Sequence, residues 1–294
     1  MFTPKVSIII PVYNGSNYLS EAIESALAQT YNNIEILVIN DGSNDNGETE
    51  KVALSFGDKI NYIYKENGGV ATALNLGIEK ASGEYISWLS HDDLYTNDKL
   101  EKQVNFLNTL KNKENKIIFN DYELIDKNKK IINKLKSPKN KNEIFLKLIS
   151  NTFALNGCTL LIPKKAFLKV GMFDKTLKTT QDYNMWLRMI KGGFEFVNLP
   201  LSLTKYRIHE NQDSVKKKEL FYNEIKQAQK YVLNTFTINE IKEKSESKSN
   251  KYILYIYIRF LFIKQNILSN ITILTQKLGF YKIIAPIYRK LFIK

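Results

Sequence analysis

Apolar positions in the first ninety residues follow two alternating patterns. Lys5-Val6-Ser7-Ile8-Ile9-Ile10 and Ile34-Glu35-Ile36-Leu37-Val38-Ile39 are runs rich in β-branched residues, which predict buried strands. Between them Tyr18, Leu19, Ala22, Ile23, Ala26 and Leu27 recur at helical spacing. Asn40-Asp41-Gly42-Ser43 ends the second strand as a turn, with a glycine available for positive φ. A short helix over roughly residues 47–56, a strand over 60–64 and a helix over 70–81 follow, the last closed by Gly83 as C-cap. Tyr85-Ile86-Ser87-Trp88-Leu89-Ser90-His91 then predicts a strand that runs into Asp92-Asp93, ahead of a helix starting near Thr96 or Asn97. Strand–helix alternation of this kind argues for an α/β fold, a mostly parallel sheet with helices on both faces. The polar ends of strands one, two and four would share one sheet edge, where open α/β sheets gather ligands. Asp41 and Asp92 are therefore expected in one cleft.

Adjacent carboxylates repel unless a cation or a proton sits between them, and oxygen ligands suit Mg²⁺ or Mn²⁺. Asp92-Asp93 is thus a candidate cation site, although the same residues equally make a polar turn capping the next helix. The chain holds two histidines, His91 and His209. Its one cysteine, Cys158, excludes an intrachain disulfide and a cysteine-based zinc site, and reads as a buried core thiol.

The 294 residues suffice for one large domain, or a domain with an appendage, and 44% are apolar. The opening Met1-Phe2-Thr3-Pro4-Lys5 lacks a basic region followed by a signal-type apolar run, and no stretch of about 18 apolar residues occurs. The net charge of +13 is unevenly placed. From Lys216 onward 16 basic residues face 5 acidic ones, against 27 and 25 before it. A near-neutral domain over residues 1–215 and a basic helical extension over 216–294 are expected. In the extension Leu220 to Val232 carries an apolar stripe, residues 240–249 are highly charged, and Tyr252 to Lys264 is very apolar but for Arg259. Such composition suits helices lying on an anionic membrane surface, with a helical cap carrying a solvated basic face as the rival. A nucleic-acid partner is not expected, because no binding module accompanies the basic residues.

Six segments in order resemble the family 2 glycosyltransferases. They are Val6 to Asn14; Asn40-Asp41-Gly42-Ser43; Asn67-Gly68-Gly69 with Asn75; Leu89 to Asp93; Val170-Gly171-Met172-Phe173-Asp174 with Gln181 to Arg188; and Tyr206-Arg207-Ile208-His209. The resemblance covers about Lys5 to Ser214. It implies the GT-A fold, a Rossmann-like and mostly parallel sheet, and an inverting transfer from a nucleotide-diphosphate sugar. Pro11, Val12 and Tyr13 would then floor the nucleotide pocket, with Asp41 against the base, expected to be uracil. Asn67, Gly69 and Asn75 would line the donor side, although Leu74 stands where many members carry an arginine. Asp92 would hold Mg²⁺ or Mn²⁺ on the diphosphate, with His209 as a further ligand and His91 as a ligand or ribose contact. The family often shows Asp-x-Asp-Asp at this point; here Ser90 replaces the first aspartate. Asp182 would be the general base, preceded by Gln181 where the family usually has glutamate, and a helix-terminal carboxylate is its structural rival. Arg207 would meet phosphates or form a surface salt bridge, and residues 112–147 would form edge strands and loops beside the acceptor.

The resemblance thus implies a metal-dependent transfer of a hexose or amino-hexose from a UDP-sugar to a hydroxyl of a lipid-linked or polysaccharide acceptor. With the basic tail it also implies a cytoplasmic enzyme, peripheral on the inner face of the cell membrane. Two rivals are a sugar-nucleotide-binding or scaffolding protein with decayed catalysis, favoured by Ser90 and Gln181, and a nucleotidyltransferase. The latter would want a glycine-rich phosphate loop that Pro11-Val12-Tyr13-Asn14-Gly15 does not provide.

Overall fold

The structure is a computed structural model, and it describes residues 2–139, 141–149, 155–210, 212, 217–237, 240 and 243. The chain divides into a unit Met1–Phe236 and a unit Thr237–Lys294. The division falls after Phe236 rather than after residue 215. The apolar tail segments from Tyr252 onward lie outside the described residues.

Strands β1 (Val6–Val12), β2 (Ile34–Asp41), β3 (Asn61–Lys65) and β4 (Tyr85–Trp88) alternate with helices α1 (Leu19–Leu27), α2 (Glu48–Leu54) and α3 (Val70–Lys80). They form a parallel sheet in the order β3-β2-β1-β4, extended by the short antiparallel strand β8 (Ile162–Pro163). All seven residues of β1 are buried, as a strand covered on both faces requires. Ile8 and Ile10 join Leu19, Ala22, Ile23 and Ala26 of α1 in one apolar cluster. Ile9, on the opposite face by strand alternation, lies against Gly77 of α3. The chain leaves β1 toward β2 on one side and lies beside β4 on the other. This is the switch in strand order outside which open sheets bind ligands.

Gly42 has φ +69°, the conformation its turn demanded, and a Cβ there would fall 2.5 Å from the Asn67 nitrogen. Gly83 does not cap α3. That helix ends at Lys80 on an extended Ala81. Gly83 is instead required by close approach, since its Cβ would meet the Ser7 hydroxyl at 2.5 Å. Around it Glu35 accepts hydrogen bonds from the Ser7 hydroxyl (2.5 Å), the Ser82 N–H (2.6 Å) and the Ser82 hydroxyl (2.8 Å). Burial works to raise the Glu35 carboxyl, and these donors outweigh it and hold the group at about 2.

A second sheet has the order β5-β9-β6-β7, from β5 (Leu94–Tyr95), β6 (Lys116–Ile125), β7 (Ile131–Leu135) and β9 (Glu195–Arg207). β6 is interior and almost wholly buried, not an edge strand; only β7 is an exposed edge. The remaining helices are α4 (Lys99–Thr109), α5 (Lys141–Ile149), α6 (Lys164–Val170), α7 (Gln181–Lys191) and α8 (Lys218–Thr235), with α7 touching α5, α6 and α8. α8 covers the helix expected over residues 220–232, with Ile225 and Val232 buried and Leu220 exposed, and belongs with the first unit.

Candidate active site

The strand register brings the polar ends together. Val12 of β1 lies beside Asn40 of β2, Asp41 beside Lys65 of β3, and Ile9 beside Trp88 of β4. Beyond β1, Asn14 takes a left-handed turn (φ +49°) and exchanges hydrogen bonds with Asn44 at 2.7 and 2.8 Å. Pro11 and Val12 are buried beneath, while Tyr13 is 44% exposed at the rim, the placement a ring needs to receive a planar partner. The Tyr13 hydroxyl donates to Asn44 at 3.3 Å.

Asp41 is 3% exposed, and its carboxylate is already occupied. It accepts the N–H groups of Gly68 (3.1 Å) and Gly69 (2.7 Å) and pairs with the Lys65 ammonium. The Asn67 amide donates to the Asp41 carbonyl at 2.9 Å. Asp41, Asn67 and Gly69 are thus one knot: the carboxylate holds the turn into α3, where Gly69 has φ +91°. Asn75 is placed elsewhere. Its amide donates to the Phe173 carbonyl and accepts the Phe173 N–H, both at 2.9 Å. It fastens α3 to the segment before α7 and is buried.

β4 stops at Trp88, and residues 89–93 make a turn in which the Asp93 N–H donates to the Ser90 carbonyl (3.1 Å). The two neighbouring aspartates diverge in chemistry. Asp92 meets His209 Nε2 through Oδ2 at 2.9 Å. Burial pushes Asp92 up, but the His209 hydrogen bond and the electrostatic effect of the two imidazoles prevail and hold it below the ordinary range. Asp93 is fully buried, accepts the Arg207 N–H at 3.0 Å and neighbours the Cys158 thiol. Burial and then the charge on Asp92 drive it well above the ordinary range, the direction opposite to that of Asp92. The His91 ring lies against Gly15, where a Cβ would come within 2.3 Å of it. Cys158 is buried, donates no reactivity and has its thiol pushed up by burial and by Asp93.

Arg207 makes its ion pair from the interior rather than from the surface. It is 0% exposed, with its plane over the Tyr18 ring at 4.3 Å. Its side chain donates to the Asp92 carbonyl (2.8 Å), the Lys127 carbonyl (2.9 Å) and Glu21 (2.5 Å). A guanidinium out of water must fill its donors, and here the fork does so on three separate segments.

Asp182 occupies the first turn of α7 and accepts the Tyr183 N–H at 2.9 Å. Burial raises it to about 7, with the Tyr183 N–H opposing and the negative charge of Glu224 assisting. The lead-in to α7 reaches the Asp41 knot: the Lys178 ammonium donates to the Gly68 carbonyl at 3.3 Å. Phe173 also packs against Trp88 at the end of β4. Asp92 and His209 therefore meet directly, and the Asp182 segment touches the knot that Asp41 holds. Among the described residues no three or more His, Cys, Asp or Glu side chains gather as a metal site. The pair Asp92–His209 is the part of the expected ligand set that comes together.

Four participants escape a sequence reading: Lys65, Lys178, Arg207 in its buried role, and Glu224. Lys65 alone leaves a trace, because it stands at a strand end beside Asp41. The partners of the others lie far away in the chain.

The sequence model for glycosyl transferase family 2 matches residues 7–169. An uncharacterized glycosyltransferase of Rickettsia bellii is 53% identical over 218 residues, covering 73% of this chain and 31% of the relative. The Escherichia coli UDP-Glc:alpha-D-GlcNAc-diphosphoundecaprenol beta-1,3-glucosyltransferase WfgD is 34% identical over 219 residues, covering 73% of this chain and 82% of that one. The match spans about a third of the length of the first Rickettsia relatives. The structure of S. aureus TarS 1-349 in complex with UDP-GlcNAc superimposes with TM-score 0.65 at 17% identity, over 89% of this chain and 76% of that one. The fold is that of a GT-A glycosyltransferase. The chain belongs to glycosyltransferase family 2.

Proposed function

We propose that this chain moves a hexose or amino-hexose from a UDP-sugar to a hydroxyl of a lipid-linked or polysaccharide acceptor, inverting the anomeric centre. The observation that carries the mechanism is Asp182: a carboxyl raised to about 7, on a helix whose lead-in touches the turn held by Asp41. A general base works best with a proton affinity near the working pH. As the acceptor oxygen bonds to the anomeric carbon, its proton passes to the Asp182 carboxylate and the bond from that carbon to the diphosphate breaks. The base of the donor would lie on Tyr13 at the end of β1.

Asp92, with His209, would hold a Mg²⁺ or Mn²⁺ ion. Such ions commonly use one or two carboxylates and complete their shell with substrate phosphates, so a single ionised aspartate fits. The ion would neutralise charge on the leaving diphosphate. The similarity to WfgD, whose name gives UDP-Glc as donor and a diphosphoundecaprenol-linked GlcNAc as acceptor, and to the Bacillus subtilis protein named for teichuronic acid biosynthesis, TuaG, supports a cell-surface glycan. The basic, aromatic tail supports a peripheral site on anionic lipid at the inner membrane face; no helix among the described residues is long and apolar enough to cross a membrane.

The test compares the full chain with Asp182→Asn on a panel of UDP-sugars and polyprenyl-diphosphate-linked acceptors. Asp182→Asn should lose about 10²–10⁴-fold in turnover while binding UDP as before. Undiminished transfer by this variant, or retention of anomeric configuration in the product, overturns the mechanism.

A further inference from the structure

Glu224 sits on α8, outside the segment that the family match covers, and is 4% exposed. Its carboxylate gathers the whole lead-in to α7. It accepts the N–H groups of Lys178 (2.8 Å), Thr179 (2.8 Å) and Thr180 (3.0 Å), and the hydroxyls of Thr179 (2.7 Å) and Thr180 (3.1 Å). Five donors on one carboxylate exceed what a simple helix contact needs. Thr180 is the residue before α7, where a threonine hydroxyl ordinarily accepts an N–H of the first turn. Here that hydroxyl is turned away to Glu224, and no side-chain cap bond forms.

The consequence lies at Lys178. Its main chain is pinned to Glu224 and its ammonium rests on the Gly68 carbonyl, 3.7 Å from where a Cβ on Gly69 would stand. The side chain is exposed, and no carboxylate pairs with it among the described residues. Asp41 does not need it, since Lys65 and two glycine N–H groups already serve that carboxylate. A cation held at the strand-end cleft with a single carbonyl partner can take an anionic oxygen as its next ligand. Leu74, buried on the neighbouring helix, supplies no charge to this corner.

We propose that Lys178 contacts the diphosphate of the nucleotide donor, and that Glu224 is the positioning residue that places it there. This rests on the UDP-sugar function proposed above. Helix α8 thereby becomes part of the donor site without touching the nucleotide.

Calorimetric titration of UDP and of uridine in the presence of Mg²⁺ tests it, on the full chain and on Lys178→Met, Glu224→Gln and the double variant. Lys178→Met should weaken UDP about tenfold and leave uridine unchanged, because only the diphosphate carries the charge. Glu224→Gln, which keeps the side-chain volume, should weaken UDP several-fold with uridine unchanged. The double variant should be no worse than Lys178→Met alone, since both changes remove one contact. Equal losses for UDP and uridine in Lys178→Met, or no loss, overturn the contact. Additive losses in the double variant overturn the positioning role. Glu224→Asp restores the carboxylate and should recover part of the UDP affinity. A native chain that binds no UDP refutes the function proposed above, an outcome distinct from a native chain that binds UDP with Lys178 indifferent.

Discussion

Two carboxyls separated by one peptide bond, Asp92 and Asp93, do opposite work because their surroundings differ. Asp92 is shifted down by two histidines, while Asp93, beside Cys158 and the Arg207 backbone, is shifted up by burial. A third carboxyl, Asp182, lies between these extremes at about 7. As a base it works only when unprotonated, so protonation below about pH 7 removes the working form. Turnover at saturating substrates should fall about tenfold per pH unit below that point and level off above it. A flat profile from pH 5.5 to 8 with chemistry limiting would remove Asp182 from the role. The chain announces the types and rough locations of these groups, since aspartates at strand ends and helix starts are visible as motifs. It does not announce their states. The donor to Asp93 lies 114 positions away and the imidazole on Asp92 lies 117 away, so protonation is decided by contacts that no local pattern encodes.

Elements were legible wherever one physical cause dominates. Strands β1 and β2 are buried on both faces, so unbroken apolar runs mark them, and helices α1 and α3 show their stripes. β6 was disguised. Its buried Asn120, Asp121 and Glu123 break the apolar pattern, because Gln103, Ser137 and Thr204 satisfy two of them and Lys134 the third. A glycine after a helix resembles a cap, whereas the need for Gly83 comes from Ser7 on another strand. That same corner gives a stability prediction. Glu35 has its folded-state value lowered to about 2 from the ordinary 4.5, so its stabilisation is present above pH 4.5 and is lost as pH falls toward 2. Glu35→Gln should therefore cost about 1–2 kcal/mol in urea unfolding at pH 7. The gap between variant and native chain should close as pH is lowered through that window. An unchanged gap at pH 3 would show that shape rather than charge holds the corner.

At the scale of the molecule, Arg207 joins what the topology separates. It stands at the end of β9 in the second sheet, yet its donors reach α1 through Glu21, the turn after β4 through the Asp92 carbonyl, and the loop between β6 and β7 through Lys127. A lysine could reach one of these partners, not three, and would lose the planar face that lies over Tyr18. Glu21 is less dependent on the pair: it is 32% exposed and also meets Lys129 at 3.0 Å. The asymmetry separates the two partners. Arg207→Lys should lower unfolding free energy by about 3–5 kcal/mol, the range for breaking a buried charge arrangement from inside. Glu21→Gln should cost about 1 kcal/mol, as a partly exposed pair does. Because the arginine also braces the turn carrying Asp92, Arg207→Lys should weaken UDP binding under conditions where the variant is still folded, and Glu21→Gln should not. If instead both variants unfold alike and bind UDP alike, the arginine is an ordinary ion pair, and the second sheet has no hold on the site.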